Sequence, residues 1–229
     1  MKYYRLQFNT TGIVGSISAN TILGLFCRAY ADKNGEDELQ VLLELLKEDC
    51  ETLVFSNPLY PNTLELYKSE YTYTSHNQVD RVSNSGSEPY IIPEKTFNTF
   101  DIIMISTLDL HYFDELVEYM KIYGLGARKS VGKGRITDIK LREIKLDKPS
   151  KTFRSLSDFM PDGKTPVNGS IKTTVRHGVT VDGKRQNSYI LLKADSEFVN
   201  NTNVTDNVLG NMILDEKTGT LIQGKTIIV

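Results

Sequence analysis

A glycine-rich segment at residues 124–135 constrains the fold more than any other feature, because it follows a helical pattern and precedes a strand pattern. It reads GLGARKSVGKGR and holds four glycines and four cations, namely Gly124, Gly126, Gly132, Gly134, Arg128, Lys129, Lys133 and Arg135. Glycine permits positive φ angles and lets a backbone lie close to a ligand. Successive N–H groups with cations among them form a concave site for anions, above all phosphates. The segment therefore predicts a phosphate-binding loop, with a merely flexible helix-to-strand connection as the alternative.

Neither of the two familiar nucleotide-binding patterns fits this segment. The dinucleotide fingerprint requires a small residue at position 129, where the sequence has a lysine. The P-loop requires four residues between its glycines and a Ser or Thr after its lysine, whereas five residues separate Gly126 from Gly132 and Gly134 follows Lys133. The order of elements is also the reverse of that in a P-loop. A nucleic-acid backbone is therefore a better candidate ligand than a mononucleotide.

Charge is distributed unevenly along the 229 residues, whose formal net charge is −2. Residues 121–154 contain eleven Lys or Arg and three Asp or Glu, so the rest of the chain is acidic. One basic face on an acidic body suits a focused anionic partner such as RNA. A solvated, lysine-rich strand is the alternative explanation for Lys140, Arg142 and Lys145. The acidic segment 32–51 is either a solvated face or a docking face for a basic protein.

Hydrophobic periodicity predicts an α+β fold with a ferredoxin-like, RRM-like unit at residues 1–147. Predicted strands cover residues 2–9, 52–55, 100–106 and 135–146, with a bulge near Asp138; predicted helices begin near Thr21 and at 35–38, and a third covers 110–120. Residues 10–18 are expected to form a loop, with Ser18 or Asn20 as the helix cap. The polar stretch 67–97 is expected to be an inserted hairpin or a partly mobile loop.

Residues 148–229 are predicted to form a smaller, β-rich, degenerate ferredoxin-like unit after a hinge at Lys148-Pro149-Ser150. Strand patterns occur at 172–175, 189–192, 221–223 and 226–229, and helical signals are weak. Cys27 and Cys50 lie in apolar helical patterns and are expected to be buried free thiols in a reducing cytoplasm. No secretory signal or membrane span is predicted. The histidines, His76, His111 and His177, show no metal-ligand spacing, and no metal or cofactor is expected.

Several motifs, taken in order, resemble those of the RAMP superfamily of CRISPR-associated proteins. The glycine-rich segment is similar to the G-x-G…S-x-G-x-G loop of that superfamily. Five further stretches resemble family motifs: the start of the first helix, Ser18–Gly24; a strand end, Val54–Pro61; the run His76–Arg81; and the later pieces Leu156–Pro161 and Val175–Gly178. Within the superfamily the likeness is to the fourth Csm subunit of type III-A effector complexes.

The resemblance implies a non-catalytic RNA-binding subunit that holds the 5′ repeat-derived tag of the guide RNA. It also implies contacts with the large palm-domain subunit and with backbone RAMP subunits, and target RNA near the inserted hairpin. The residues expected to bind RNA are Gly124, Gly126, Ala127, Arg128, Lys129, Ser130, Gly132, Lys133, Gly134 and Arg135 in the loop, Ser18, Asn20 and Thr21 at the first helix, and His76, Asn77, Arg81, Arg176 and His177.

Two other functions stay open at this level. Superfamily relatives that process guide precursors use a general acid and base, so His76 or His177, with a lysine or Ser130, would serve a metal-independent endoribonuclease. A small-molecule nucleotide sensor is the weaker possibility. Arg81, which is expected to contact RNA, can instead pair with Asp80. His111 suits a surface or capping position.

Overall fold

The computed structural model describes residues 1–68, 70–76, 90–126, 132–178, 183–201 and 204–229, with the backbone alone at 70–76 and 90–97. The described part of the first 144 residues contains three helices and five strands. In chain order these are β1 (Lys2–Val14), α1 (Ala19–Asn34), α2 (Glu36–Lys47), β2 (Leu53–Phe55), β3 (Glu70–His76), β4 (Tyr90–Ser106), α3 (Phe113–Tyr123) and β5 (Ile136–Ile144). None of the described helices is long and apolar enough to span a membrane.

The five strands form one antiparallel sheet in the order β2-β4-β1-β5, and β3 pairs with the first half of β4. The long strand β4 therefore belongs to both the sheet and the inserted hairpin. The register places Glu70 opposite Thr96 and His76 opposite Tyr90, which confirms a hairpin in the polar insert. Residues 77–89, between its arms, lie outside the described part.

Side-chain alternation along β1 and β4 gives the sheet two apolar faces. One face carries Leu6, Phe8 and Met104, which pack against the three helices in the main core. The Phe8 and Phe100 rings on this face stack with their centroids 5.1 Å apart. Residues one position along the strands, such as Ile103, point to the opposite face. The sheet is therefore buried on both sides, and something other than the helices must cover the second face.

The C-terminal residues provide that cover. Ile103 and Ile105 of β4 pack in one buried cluster with Leu156 and Ile227. Hydrogen bonds reinforce the contact: the buried Gln223 side chain accepts from the Phe55 N–H at 3.0 Å and donates to the Phe55 carbonyl at 2.6 Å. The main-chain groups of β2 on this side are therefore satisfied by a residue far away in sequence.

The described residues between 148 and 229 form nine short strands and no helix. The strands are β6 (Thr152–Arg154), β7 (Gly169–Ser170), β8 (Thr173–Arg176), β9 (Tyr189–Leu192), β10 (Glu197–Val199), β11 (Val208–Gly210), β12 (Ile213–Asp215), β13 (Thr220–Ile222) and β14 (Lys225–Ile227). They pair as β6-β10-β7, β8-β9, β11-β14 and β12-β13. The predicted β-rich character is confirmed. The degenerate ferredoxin-like arrangement of these strands stays a prediction.

Two local predictions about the first strand and the cysteines need correction. Residues 10–14 are not part of a loop: β1 continues to Val14 through a register shift between Asn9 and Ile13. Cys50 is exposed beyond the end of α2, whereas Cys27 is partly buried, and both thiols are free. The predicted bulge is confirmed, since the β1–β5 register passes from Asn9 opposite Asp138 to Thr10 opposite Ile136.

Candidate nucleic-acid interface

The glycine-rich loop connects α3 to β5, as the sequence predicts, and its described residues are 124–126 and 132–135. Ala127, Arg128, Lys129 and Ser130 lie outside the described part. All four glycines have positive φ, at 61° for Gly124, 79° for Gly126, 81° for Gly132 and 74° for Gly134. This backbone conformation is costly for other residues, which explains the glycine content locally.

Three of these glycines also allow the loop to pack against itself and against β1. A Cβ atom on Gly134 would lie 1.9 Å from the Leu125 carbonyl oxygen, and one on Gly124 would lie 2.5 Å from the Gly134 carbonyl oxygen. On Gly126 it would lie 2.7 Å from the Val14 carbonyl oxygen. Gly132 is different, because a Cβ there would meet no atom within 4 Å among the residues that the structure describes.

Main-chain hydrogen bonds join the two ends of the loop and contradict part of the predicted phosphate cradle. The Leu125 N–H donates to the Gly134 carbonyl at 2.8 Å, and the Gly134 N–H donates to the Gly12 carbonyl at 3.0 Å. The Gly124 N–H donates to the Met120 carbonyl at 3.1 Å and so closes α3. These three amides are used within the chain and do not face an anion. The described loop can attract phosphate through its cations, whereas the amides of Gly124, Leu125 and Gly134 contribute to folding.

Two grooves flank the loop. The first has a volume of about 290 Å³ and lies between the end of α3 and residues 132–135, which lead into β5. Lys121, Lys133 and Arg135 line it, together with the exposed Ile122. Three cations around one groove form a suitable surface for a phosphate backbone. The sequence predicts Lys133 and Arg135 as RNA-binding residues. It did not lead us to Lys121, although a lysine two residues before the end of α3 could have been expected to lie close to the loop.

The second groove, of about 360 Å³, lies between α1 and the segment Tyr123–Gly126. Its α1 side consists of Thr21, Gly24, Leu25 and Arg28. The Arg28 guanidinium lies 5.2 Å from the centroid of the Tyr123 ring. Sequence reasoning found neither Arg28 nor Tyr123, because 94 residues separate them and only the packing of α1 against α3 brings them together.

The residues predicted at the start of α1 have contacts within the chain. Ser18 is the N-cap, and its N–H donates to the Thr21 hydroxyl at 3.2 Å. The Asn20 side chain donates to the Gln223 carbonyl at 3.2 Å and accepts from the Gln223 N–H at 2.8 Å. Asn20 thus ties α1 to the C-terminal part of the chain. Among these three, Thr21 also lines the second groove.

The remaining predicted residues are spread over other elements. His76 ends β3, while Asn77 and Arg81 lie outside the described part. Arg176 ends β8, and its Nε is buried without a hydrogen-bond partner in the described structure. Burial lowers the pKa of Arg176. The exposed His177 shares a 2.9 Å hydrogen bond between its Nδ1 and the Ser188 Oγ. This contact of His177 is local to the C-terminal part.

His111 occupies the surface position expected for it. Its Nδ1 lies 3.0 Å from Asp109 Oδ2, and both side chains are exposed. Hydrogen bonds from the main chain and side chain of His111 lower the pKa of Asp109. Over the described ranges, no group of three or more His, Cys, Asp or Glu side chains is arranged to hold a metal ion.

Comparison with known proteins gives a match at the level of structure. A chain of the Csm3–Csm4 subcomplex in the type III-A CRISPR-Cas interference complex superposes with a TM-score of 0.61 at 13% identity, covering 100% of this chain and 98% of that one. The chain has a Csm4-like fold. A chain of the Csm1–Csm4 cassette with AMPPNP gives a TM-score of 0.55 at 13% identity, covering 100% and 97%. The same cassette with pppApApA gives 0.54 at 12% identity, again covering 100% and 97%.

No protein-family model matches the sequence, and no curated protein matches it. The Csm4-like fold therefore rests on structure alone, as expected when sequence identity is so low. The resemblance predicted from the ordered motifs is confirmed at this level. The likeness extends over the C-terminal β-rich part as well as the sheet and helices, because the coverage of both chains is nearly complete.

Proposed function

We propose that this chain is a non-catalytic, RNA-binding subunit of a type III-A CRISPR effector complex in the cytoplasm. The observation that carries the proposal is full-length structural similarity to a chain of the Csm3–Csm4 subcomplex. In this proposal the N-terminal part is a ferredoxin-like domain, since its antiparallel sheet has the order β2-β4-β1-β5 with helices on one face. The hairpin of β3 and β4 is an insertion into that domain.

The proposed ligand is the guide RNA, held at its 5′ repeat-derived tag. Lys121, Lys133 and Arg135 surround one groove, and Arg128 and Lys129 belong to the same loop by sequence. Cations of this kind bind phosphates without reading bases, so base pairing by the guide is left to supply sequence specificity. The proposed role therefore depends on loop side chains more than on loop amides.

The proposed protein partners are a palm-domain subunit like Csm1 and backbone RAMP subunits like Csm3, with target RNA near the inserted hairpin. The complexes that contain the structural neighbours are named for Csm1 or Csm3 together with Csm4. Helix α2 is the candidate docking face, because its first turn holds Glu36, Asp37 and Glu38 and its outer side exposes Val41 by 56%. An apolar centre within an acidic rim suits a partner with a basic surface.

The test measures binding of a guide RNA to the purified chain at several salt concentrations. Binding to phosphates makes the logarithm of affinity fall linearly with the logarithm of salt concentration, by about 0.7 per contact for a single strand. The double variant Lys133→Ala/Arg135→Ala is expected to flatten this slope by about 1.4. The control Lys47→Ala/Lys217→Ala removes the same charge elsewhere and is expected to keep the wild-type slope. Equal slopes for all three proteins would contradict phosphate binding at the loop.

The absence of catalysis is tested in the same preparations. Guide precursor is incubated with the chain in a chelator, and the products are separated on a gel. Intact precursor is expected. Cleavage by the wild type that disappears in His76→Ala or His177→Ala would replace the proposal with a metal-independent endoribonuclease.

A further inference from the structure

Two contacts hold the side chain of Arg28 beside the second groove. Its guanidinium lies over the Tyr123 ring, 5.2 Å from the centroid, and its Nε is 3.9 Å from Asp32 Oδ1. The Tyr123 hydroxyl donates to the other Asp32 oxygen, so the three groups brace one another. The Arg28 side chain nevertheless stays 61% exposed. A planar cation that is held near a ring and has much of its surface in solvent can stack on a second flat group.

Gly24 lies one helical turn before Arg28, inside α1. After proline, glycine is the least favourable residue in a helix interior. Gly24 is exposed, and a Cβ there would meet no atom within 4 Å, so no contact within the described chain requires a glycine. A ligand lying directly against the helix would require one, because a side chain would displace it.

The groove around these residues has the size and polarity of a slot for a flat, partly apolar group. Its volume is about 360 Å³, and the buried Leu25 and Leu125 form its apolar part. Arg28 and Tyr123 line one end, and Gly24 leaves the α1 wall open. The groove borders the glycine-rich loop through Gly124 and Gly126, whereas Lys133 and Arg135 line the first groove.

We propose that this groove receives one unpaired nucleobase of the bound RNA, which stacks on the Arg28 guanidinium and lies over Gly24. The proposal rests on the proposed function and adds a base-binding position to it. A base fits better than a phosphate, because Asp32 repels an anion near Arg28 but does not oppose stacking. A free nucleotide has the same base, so the experiment includes one as a competitor.

The experiment compares a single-stranded RNA with its abasic counterpart, which has the same ribose-phosphate backbone and length. Stacking on a side chain commonly gives about a tenfold gain in affinity per base, so wild-type protein should bind the RNA about tenfold more tightly than the abasic strand. Arg28→Lys keeps the charge but loses the flat guanidinium, and Gly24→Ala narrows the slot. Both variants are expected to lose this preference and to bind the abasic strand as the wild type does.

The outcomes separate this inference from the proposed function. A preference for RNA that survives both substitutions overturns the base slot, while RNA affinity that depends on Lys133 and Arg135 still supports the function. Failure of the wild type to bind either strand overturns both. Binding of AMP without binding of RNA overturns the proposal in favour of a free nucleotide. Unchanged preference is expected for the control Lys47→Ala.

Discussion

Gly132 and Gly134 offer a matched test of what the glycine-rich loop needs glycine for. Their φ angles are nearly equal, at 81° and 74°, so alanine suffers the same backbone strain at both positions. Their surroundings differ: a Cβ on Gly134 would lie 1.9 Å from the Leu125 carbonyl oxygen, whereas one on Gly132 would meet no atom of the described residues within 4 Å. Comparing the two alanine variants therefore isolates the cost of steric overlap.

The expected loss of unfolding free energy in each variant follows from backbone strain and from steric overlap. Left-handed backbone strain alone costs about 1–2 kcal/mol, which is the expected loss in unfolding free energy for Gly132→Ala. In Gly134→Ala the Leu125 backbone must also move, and the hydrogen bond from the Leu125 N–H to the Gly134 carbonyl, now 2.8 Å, is disturbed. An overlap of this kind adds roughly 1–3 kcal/mol, and the lost bond adds about 1 kcal/mol. Gly134→Ala should therefore cost about 3–6 kcal/mol in total.

Urea unfolding followed by circular dichroism measures both free energies in water. For a chain of this size each kcal/mol also lowers the melting temperature by about 2–4 °C, so thermal melting provides an independent check. Equal losses for the two variants would refute the close-packing account. Equal losses would mean that the loop needs glycine at these positions only because their φ angles are positive.

Three further predictions concern α1, the contact between the two parts of the chain, and the thiols. Gly24→Ala should raise the unfolding free energy by about 0.8–1 kcal/mol, since nothing in the described chain opposes a methyl group there. Gln223→Ala should lower the unfolding free energy by about 2–5 kcal/mol in urea unfolding, because two buried main-chain groups of β2 lose their partner. Burial raises the pKa of Cys27 to about 12, so at pH 8 its thiol stays protonated and a thiol reagent should label the exposed Cys50 at least about tenfold faster.

Each of these predictions has a control or a contradicting result. A lower melting temperature for Gly24→Ala would mean that the helix needs glycine for its own packing. Gln40→Ala, on the exposed side of α2, serves as the control for Gln223 and should change the unfolding free energy by less than about 0.5 kcal/mol. Labelling of Cys27 as fast as Cys50 would show that the first thiol is open to solvent.

The order of elements could be predicted from the sequence because each strong pattern is local. The alternation in β1 and β5 and the apolar stripe of α3 are visible within a dozen residues. The extension of β1 to Val14 could not be predicted, since Thr10, Thr11 and Gly12 interrupt the alternation. That extension depends on pairing with β4, where Ile13 lies opposite Phe97 after the register shift.

The candidate site was predicted less completely than the order of elements, because its contacts join residues that are far apart in sequence. A glycine in a sequence shows that a side chain is missing but not what occupies its place. At Gly124, Gly126 and Gly134 the occupant is another part of the same chain, whereas at Gly132 none of the described residues fills the space. Likewise, the engagement of Asn20 by Gln223 joins residues 203 positions apart, which no local pattern can indicate.

These contacts give the glycines and the cations of the loop separate tasks. The glycines let the two ends of the loop close on each other and on β1, which fixes a thin ridge between two grooves. Lys133 and Arg135 face one groove, and Arg28 faces the other. Changes at Gly124, Gly126 and Gly134 should therefore act through stability, and changes at the cations through the salt dependence of RNA binding. A ridge of this kind allows the backbone of a strand to run on one side while a base turns to the other.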